Sequence, residues 1–375
     1  MKILFTGGCT GGHFYPIIAV AEAIEDLVRS QKLIDPQLYY AAPDPYDREM
    51  LAAHNITFVR INAGKVRRYF SLLNIVDLVK TGWGIVRSLM TIFFIYPDVV
   101  FSKGGYASFP TLLAARLFDI PVIIHESDAV PGRVSLWSGK FARRIAVSYP
   151  EAASFFPKEK VAYTGNPVRK SSRLPAKEGA FEFLKLHATL PVLLVLGGSQ
   201  GAVALNEAIL SALPQLVESY QIIHQTGTAN IADVEGRARI ILGNTEYADR
   251  YKPFAYLNDL ALRMSAGVAS LVISRAGSTI FEIALWGTPS IIIPLPGAAE
   301  DHQTKNAFSY ARAGACSVIE QNNLTPTVLR SEIERILGNK ELTHHMSEAA
   351  KKFGRSDAAE LIASALVEVG LSHES

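Results

Sequence analysis

Short apolar segments alternate with longer stretches of helical periodicity along this chain. The apolar segments are LYYAA, DVVFS, PVIIHE and RIAVS in the first half, and PVLLVLGG, QIIHQTG, ASLVIS and PSIIIPL in the second. Segments of this length, separated by amphipathic helices, predict parallel strands joined by right-handed βαβ crossovers. The pattern therefore predicts an α/β protein with helix-covered parallel sheets.

One local plan occurs twice: an apolar strand, then a glycine-rich turn, then a helix. The first instance is MKILFTGGCTGGHFYPIIAVAEAI at residues 1–24, with Pro16 expected in the first turn of the helix. The second is VLLVLGGSQGAVALNEAI at residues 192–209. A second glycine turn near mid-chain predicts a second sheet. For 375 residues we expect two Rossmann-like, doubly wound domains that face each other across a cleft.

The domain boundary is expected at residues 163–179, YTGNPVRKSSRLPAKEG, where Pro, Gly, Ser and Lys accumulate without apolar periodicity. This predicts an N-terminal domain at residues 1–165 and a C-terminal domain at residues 166–355. The C-terminal sequence predicts two helices that are separated near Gly354.

Composition and charge exclude several classes of protein. The chain is 49% hydrophobic and 19% charged, which fits a packed globular protein, and its net charge of +2 does not indicate nucleic-acid binding. Cys9 and Cys316 are far apart, so no zinc site or disulfide framework is predicted, and a reducing cytoplasm fits. We expect no secretory signal, and no transmembrane helix because Pro97 interrupts the longest apolar run, Leu89–Phe101.

Two motifs in the second half follow predicted strands and have two readings each. In GGSQGA, Ser199 either caps the next helix or helps to bind a phosphate at the helix N-terminus. In SRAGSTIFEIALWG, the spacing of Thr279 and Glu282 fits a capping box, and the alternative is that Glu282 binds paired sugar hydroxyls. For Ser199 the two readings are even, whereas for Glu282 the residues alone favour capping.

Further polar segments are expected at strand ends. PGAAEDHQTKNA is predicted to be a polar loop in which Asp301, His302, Gln303 and Asn306 cluster near a ligand. KGGYASFP and HESDAVPGRVS follow strands of the first half and are expected to line the opposite wall. None of these segments has a serine-hydrolase elbow, a metal-ligand spacing or a D-x-D pattern, so no metal site is predicted.

The segment at residues 65–94 mixes basic and large apolar residues. A core helix is the favoured reading, and docking on an anionic membrane surface is the alternative. The residues of this mixture are Lys65, Arg67, Arg68, Lys80 and Arg87 together with Phe70, Leu72, Leu73, Ile75 and Trp83.

In this order and spacing, the motifs GGCTGGHFYP, KGGYASFP, HESDAVPG, TGNPVR, GGSQGA, SRAGSTIFEIALWG and DHQTKNA resemble the MurG family of peptidoglycan glycosyltransferases. The resemblance covers nearly the whole chain. It implies a glycosyltransferase-B fold, with UDP-N-acetylglucosamine as donor and the C4 hydroxyl of the muramyl sugar of undecaprenyl-linked lipid I as acceptor. It further implies an inverting reaction that yields lipid II at the cytoplasmic face of the plasma membrane.

The same resemblance implies a donor site in the second domain. Ser199 and Arg169 would contact the diphosphate, Glu282 the ribose hydroxyls and Gln303 the N-acetylglucosamine, while the uracil would lie against backbone at residues 254–257. The implied donor-binding residues are Arg169, Ser199, Gln200, Leu257, Glu282, His302 and Gln303.

The first domain would then bind the acceptor and the membrane, and the last helix, residues 356–375, would pack back on it. The resemblance implies an anionic membrane surface and proteins of cell-wall synthesis as partners, and no nucleic acid, cofactor or metal. The implied acceptor-binding residues are Thr10, Gly11, Gly12, His13, Tyr106 and Asp128, and the implied membrane patch consists of Arg67, Arg68, Phe70, Leu73, Lys80 and Trp83.

One position departs from the family pattern. The family usually has His-Glu-Gln-Asn where this chain has His125, Glu126, Ser127 and Asp128. An ionised Asp128 only accepts hydrogen bonds, whereas an amide also donates them, so acceptor specificity at this position is open.

Inverting transfer needs a base for the acceptor hydroxyl and stabilisation of the departing UDP. His13 is the first candidate for the base because an imidazole ordinarily titrates near neutral pH. Glu126 is the competing candidate. Arg169, Ser199 and the helix after Gly201 are expected to stabilise the UDP without a metal.

Three other functions remain open from the sequence. They are a glycosyltransferase-B enzyme with a different lipid acceptor, a UDP-N-acetylglucosamine 2-epimerase, and a UDP-sugar or lipid-carrier binding protein without turnover. A nicotinamide oxidoreductase is disfavoured because neither glycine turn has the G-x-G-x-x-G spacing.

Overall fold

The computed structural model describes residues 1–8, 10–64, 73–198, 201–243, 245–297 and 301–374. The chain divides into two compact units. The first unit consists of Met1–Arg169 together with Ser356–Ser375, and the second unit is Lys170–Arg355.

A seven-stranded parallel sheet forms the centre of the first unit. Its strands are β1 (Lys2–Thr6), β2 (Gln37–Ala42), β3 (Ile56–Arg60), β4 (Val99–Ser102), β5 (Val122–Glu126), β6 (Arg144–Val147) and β7 (Val161–Tyr163). The spatial order is β3-β2-β1-β4-β5-β6-β7, so the winding direction reverses between β1 and β4. Thr6 pairs with Ser102, and the residues after both strands therefore share the carboxyl edge at this reversal, where open parallel sheets bind ligands.

Among the described residues of this unit, six α-helices cover the sheet. They are α1 (Gly11–Gln31), α2 (Arg48–Ala53), α3 (Leu73–Ile95), α4 (Phe109–Leu117), α5 (Arg133–Gly139) and, from the end of the chain, α15 (Ala358–Glu374). Ala359, Ile362 and Leu366 of α15 are buried in the same apolar cluster as Ile17 and Ile24 of α1. Their spacing of three and four residues gives one apolar helix face, so the last helix completes the core of the first unit.

The opening helix begins earlier than the sequence predicts. Thr10 is its N-cap residue, His13 lies within its first turn, and Pro16 lies inside the helix and not in the first turn. The expectation for Pro16 is therefore wrong. The sequence pattern places Gly11 and Gly12 in the turn before the helix, whereas they are its first two residues. The first four N–H groups of a helix have no partner within the helix, so glycine is tolerated there.

A six-stranded parallel sheet forms the centre of the second unit. Its strands are β8 (Val192–Leu196), β9 (Gln221–Gln225), β10 (Tyr251–Phe254), β11 (Ala269–Ser274), β12 (Ser290–Ile292) and β13 (Cys316–Val318). The order is β10-β9-β8-β11-β12-β13, with the reversal between β8 and β11. Leu196 pairs with Ser274, so the glycine turn after β8 and the segment after β11 lie at one edge.

Nine helices belong to the second unit in the part of the chain that the structure describes. They are α6 (Lys170–Arg173), α7 (Ala180–Phe183), α8 (Val203–Ser219), α9 (Ile231–Leu242), α10 (Asp259–Val268), α11 (Thr279–Trp286), α12 (His302–Arg312), α13 (Pro326–Leu337) and α14 (Lys340–Phe353). Gly354 is the C-cap of α14, which confirms the predicted break between the last two helices.

Candidate active site

The carboxyl edge of the first sheet brings the opening glycine turn against the segment after β4. Gly105 has a φ of 78°, which favours glycine. A β-carbon on Gly105 would lie 3.2 Å from the Cα of Gly8 and 3.5 Å from Nε2 of His13. The two turns are therefore in close backbone contact, and the imidazole of His13 lies beside both.

His13 is held by its own helix N-terminus. Its backbone N–H donates to the carbonyl of Thr10 at 3.0 Å, and its Nδ1 lies 2.9 Å from the Thr10 hydroxyl. A β-carbon on Gly8 would lie 2.7 Å from the same Nδ1, which is closer than side chains pack. The side chain is half-buried, with Nδ1 committed to Thr10.

Two other implied acceptor-binding residues belong to the segments that carry Gly105 and His13. Tyr106 opens a short 3-10 turn after β4 and is 37% exposed. A β-carbon on Gly11 would lie 2.8 Å from the hydroxyl of Tyr46 and 3.0 Å from the ring of Tyr15, so glycine is needed for this packing.

Glu126 is buried at the end of β5, and its carboxylate holds the loop that follows. Oε1 accepts from the N–H of Asp128 at 3.1 Å and Oε2 from the N–H of Gly132 at 3.2 Å, and the Ser135 hydroxyl also bonds the carboxylate. Burial, and then the charge of Asp128, raise the pKa of Glu126 to about 7. Asp128 is half-buried and lies next to it along the loop.

Lys103 forms a polar cluster with this loop. It directly follows β4 and is only 2% exposed. Its Nζ lies 2.6 Å from His125 Nδ1, 2.5 Å from Ser127 Oγ and 3.0 Å from Asn166 Oδ1. The sequence analysis includes Lys103 in the segment KGGYASFP but assigns it no role, although a lysine at a strand end before two glycines is a signal for one.

The pKa values of two ionisable groups in this cluster are strongly shifted. Burial lowers the pKa of Lys103 to about 7, while the negative charges of Glu126 and Asp128 act in the opposite direction. Burial, and then the Lys103 charge, hold the pKa of His125 well below its usual range, so this imidazole is neutral.

Arg169, expected among the donor residues of the second domain, is the last residue of the first unit. Its side chain is buried, and its guanidinium carbon lies 4.3 Å from the centre of the Tyr15 ring, a cation–π contact with α1. Its predicted contact with a diphosphate stays a prediction.

In the second unit, the glycine turn after β8 approaches neighbouring backbone closely. Gly198 and Gly201 have φ values of 83° and 77°. A β-carbon on Gly201 would lie 2.4 Å from the carbonyl oxygen of Thr226. Helix α8 begins at Val203 with Ala202 as N-cap, and the predicted donor residues Ser199 and Gln200 lie outside the described residues.

The capping-box reading of Glu282 is wrong. Helix α11 begins at Thr279 and its N-cap is Ser278, without a side-chain cap, so Thr279 is one position too late to form the box with Glu282. Glu282 is half-buried in the helix that follows β11. Because β8 and β11 are neighbours, this helix and the glycine turn share one edge of the sheet.

The segment predicted as a polar loop is helical from His302 onward. Gln303 Oε1 accepts from the backbone N–H of Leu295 at 2.9 Å. Asn306 is buried and donates to the carbonyl of Ala276 at 3.2 Å, so it joins α12 to the turn after β11. His302 and Gln303 form the first turn of α12, whereas Asn306 has a structural role.

Leu257, expected near the uracil, is buried at 1% exposure. Its backbone N–H donates to the side-chain oxygen of Gln225 at 3.1 Å. In this structure that N–H is therefore already paired within the second unit.

The described part of the expected membrane patch is helix α3. Arg67, Arg68 and Phe70 lie outside the described residues, and only the backbone of Leu73 is described. Lys80 is exposed, and the exposed large apolar residues of the helix follow one stripe. They are Leu78, Val79, Trp83, Val86, Met90, Phe93 and Phe94.

The opposite side of α3 is packed. Ser88 and Ile92 are buried, and a β-carbon on Gly84 would overlap the carbonyl of Asn62. By length and composition alone, Asp77–Ile95 is apolar enough to cross a membrane, with a mean hydropathy of 1.4 and 17% of the stretch buried. The prediction of a core helix therefore explains only the packed face of α3.

The described residues contain no group of three or more His, Cys, Asp or Glu side chains placed to hold a metal ion.

Comparison with known proteins identifies the family. The N-terminal domain of glycosyltransferase family 28 matches residues 3–147, and the C-terminal domain of that family matches residues 192–362. A Treponema denticola protein named UDP-N-acetylglucosamine–N-acetylmuramyl-(pentapeptide) pyrophosphoryl-undecaprenol N-acetylglucosamine transferase is 35% identical, over 95% of each chain. The chain belongs to the MurG family.

Solved structures agree with this membership. Acinetobacter baumannii MurG superposes with a TM-score of 0.72 at 26% identity, over 98% of this chain and 99% of that one. The UDP-GlcNAc 2-epimerase of Neisseria meningitidis reaches a TM-score of 0.67 at 16% identity, over 98% of this chain and 100% of that one, which is a likeness of fold alone. The predicted glycosyltransferase-B class, with two doubly wound parallel-sheet domains, and the predicted family are confirmed.

Proposed function

We propose that this chain transfers N-acetylglucosamine from UDP-N-acetylglucosamine to the C4 hydroxyl of the muramyl sugar of lipid I, forming lipid II with inversion. The observation that carries the proposal is the 35% identity, over 95% of the chain, to a relative named for this transfer. The acceptor binds at the carboxyl edge of the first sheet and the donor at that of the second.

His13 is the proposed general base. To accept a proton at Nε2, its Nδ1 must carry the hydrogen and donate to Thr10 Oγ, which lies 2.9 Å away. The Nε2 edge then lies beside the Gly105 turn, where the acceptor sugar would sit. A positioned base of this kind accelerates transfer by about 10²- to 10⁴-fold.

Glu126 is the weaker candidate for the base. Both of its oxygens accept backbone N–H groups of its own loop, and the side chain is buried. A proton taken up by this carboxylate would remove the negative charge that strengthens the bonds fixing the loop. We assign Glu126 the role of holding Asp128 and the rest of the loop in place against the acceptor.

The donor side stabilises the leaving UDP. The N-terminus of the 17-residue helix α8 offers backbone N–H groups and a partial positive charge to a diphosphate. Ser199 and Gln200, which precede it in the sequence, are predicted diphosphate contacts. Glu282 lies in the first turn of α11, which follows β11 at the same sheet edge, and is assigned to the ribose hydroxyls.

The other donor contacts are carried by α12 and the strand edge. His302 and Gln303 would bind the N-acetylglucosamine from the first turn of α12, where Gln303 exchanges its bond to Leu295 for a sugar hydroxyl. The segment that ends at Leu257 would contact the uracil through backbone groups other than the N–H bonded to Gln225.

We further propose that α3 docks the enzyme on the cytoplasmic face of the plasma membrane. Trp83 is 61% exposed and Phe94 75% exposed on a stripe that also carries Lys80. An apolar stripe with a basic rim suits the interface of a membrane with anionic lipids. This position gives access to a lipid-linked acceptor and to proteins of cell-wall synthesis.

A different lipid acceptor is the second candidate function. It is favoured by Asp128, because a carboxylate beside Glu126 selects acceptor groups that donate hydrogen bonds. An acceptor without the muramyl peptide is the simplest case.

The test is transfer of labelled N-acetylglucosamine to two acceptors, a lipid I analogue and a lipid diphosphate sugar that lacks the lactyl peptide. The proposal expects a β-linked product from the lipid I analogue and at least tenfold slower transfer to the second acceptor. Faster transfer to the second acceptor would establish the alternative function. Conversion of the donor to its 2-epimer, or UDP binding without transfer to either acceptor, would overturn both.

A further inference from the structure

The hydrogen-bond acceptors around the Lys103 side chain suit a protonated ammonium group. An ammonium group has three N–H donors and no acceptor. Three acceptors lie within 3.0 Å of Nζ: His125 Nδ1 on β5, Ser127 Oγ in the next loop, and Asn166 Oδ1 after β7. Each donor therefore has one partner, and the partners come from two segments of the first unit, the end of β5 with its following loop and the chain after β7.

The partners are themselves oriented to accept. His125 Nε2 lies 3.0 Å from the carbonyl of Gly165, so the ring proton is on Nε2 and Nδ1 has a free lone pair for Lys103. Asn166 donates through Nδ2 to the carbonyl of Pro167 at 3.2 Å, which turns its oxygen toward the ammonium. In this cluster the ammonium of Lys103 is thus the donor in all three bonds, and its partners are the acceptors.

Two carboxyl groups favour a cation at this position, against the burial that lowers the pKa of Lys103 to about 7. Glu126 is buried and Asp128 half-buried, and both attract the ammonium. The titratable groups around Lys103 on the neighbouring strand and loop are His125, Glu126 and Asp128, and the imidazole is neutral. Lys103 is therefore the positive partner of a pair of adjacent carboxyl groups.

The backbone of Lys103 joins this cluster to the opening turn. Its N–H donates to the carbonyl of Thr6 at 2.9 Å. A β-carbon on Gly7 would lie 3.2 Å from the Cβ of Lys103, and Gly105 contacts Gly8. One residue thus links the turn that holds His13, the loop after β5, and the Asn166 segment.

We propose that Lys103 is a positioning residue for the acceptor half of the transfer reaction: its ammonium fixes the loop with Glu126 and Asp128 against the turn that holds His13. The inference rests on the proposed function, and it adds a residue that the motif resemblance does not assign. Without the ammonium, three hydrogen-bond acceptors lose their donor and the two carboxyl groups lose their cation. The loop then relaxes, and the acceptor substrate is misplaced.

The test replaces Lys103 by methionine, which keeps the length of the side chain and removes its charge and donors. Lys140→Met is the matched control, because Lys140 is an exposed lysine at the end of α5 in the same unit. We expect Lys103→Met to lower kcat/KM for the acceptor at least tenfold, since hydrogen bonds to charged groups are involved. KM for UDP-N-acetylglucosamine should stay within about twofold, and Lys140→Met should match the wild type.

A pH profile separates positioning from a general loss of structure. Removing a cation beside carboxyl groups and a base raises their pKa values, so the acid limb of kcat/KM for the acceptor should move up by roughly one pH unit in Lys103→Met. If the acid limb did not move, or if KM for UDP-N-acetylglucosamine rose as much as kcat/KM for the acceptor fell, Lys103 would have only a structural role and the proposal would be overturned. Acceptor kcat/KM within twofold of the wild type would also overturn it.

Ser127→Ala covers the case in which Lys103→Met does not fold. It keeps the ammonium and removes one of its three acceptors, so a smaller fall in acceptor kcat/KM with unchanged donor KM is expected. An unchanged acceptor kcat/KM would contradict the proposal. If the wild-type chain itself transfers no sugar, the proposed function fails before the role of Lys103 is reached.

Discussion

A β-carbon on Gly8 would lie 2.7 Å from Nδ1 of His13. The imidazole therefore occupies the space that any other residue at position 8 would need. Gly11 is constrained in the same way by Tyr46 and Tyr15. These contacts explain why glycines surround the opening helix N-terminus: they let the imidazole and two aromatic rings pack directly on the backbone.

Replacement of Gly8 by alanine should displace His13. We expect turnover to fall at least tenfold while UDP binding stays within twofold, because the donor site lies on the second unit in our account. The measurement is steady-state transfer together with UDP titration. Gly236→Ala in α9 is the control, since a β-carbon there meets nothing within 4 Å. Wild-type turnover in Gly8→Ala would show that the His13 position is not critical.

Thr10 should set the tautomer of His13. Thr10→Val removes the hydroxyl at nearly constant volume, and we expect kcat to fall about tenfold, which corresponds to one hydrogen bond to a group that becomes charged. Thr10→Ser keeps the hydroxyl and should stay within about threefold of wild type. Equal kcat for the valine and serine variants would disprove this role.

The stability of the protein should depend on pH through Glu126. Its pKa is raised from 4.5 to about 7 in the folded state, so the folded chain binds more protons than the unfolded chain between these values. The stabilisation is complete below pH 4.5 and is lost as the pH rises to about 7, with a slope of at most about 1.4 kcal/mol per pH unit.

Urea unfolding at a series of pH values measures this dependence. Between pH 4.5 and 7, Glu126→Gln should gain stability relative to the wild type as the pH rises, because glutamine does not titrate. Glu159→Gln, at an exposed glutamate of the same unit, should keep the wild-type slope. Parallel curves for Glu126→Gln and wild type would contradict the raised pKa.

The exposed stripe of α3 should determine binding to membranes. Phe94→Ser should weaken partition into vesicles with anionic lipid about tenfold. This loss corresponds to the free energy gained when one aromatic side chain is buried. Ile34→Ser is the matched control, since Ile34 is 91% exposed in the same unit but belongs to the connection between α1 and β2 and not to α3. Cosedimentation with vesicles measures both variants. Equal losses would mean that apolar exposure in general, and not this helix, controls binding.

The sequence predicts the central strands of both sheets but not their edges. The strands that no predicted segment contains are β3, β7, β10 and β13, and all four are edge strands. Their residues are largely half-buried or exposed, as in ITFVR of β3, so they lack the continuous apolar run of a strand covered on both faces. The doubly wound class followed from the central strands alone.

Candidate site residues were easier to find than their partners. His13 and Glu126 stand in recognisable motifs, whereas the bonds between Lys103 and Asn166 join residues that are 63 positions apart. Local spacing gives no signal for such a pair, because it depends on the order of β4, β5 and β7 in the sheet. The capping-box prediction for Glu282 is wrong for a different reason: α11 begins at Thr279, one residue earlier than a box with Thr279 as its N-cap requires.

The most direct test of the account compares His13→Ala and Glu126→Gln with the wild type in transfer to a lipid I analogue, with UDP binding measured on each. We predict that His13→Ala loses at least a hundredfold in kcat with UDP binding intact, as expected for removal of a general base. Glu126→Gln should lose less kcat and more acceptor affinity. Turnover of His13→Ala within a few-fold of wild type, with collapse in Glu126→Gln, would contradict the account and make Glu126 the base.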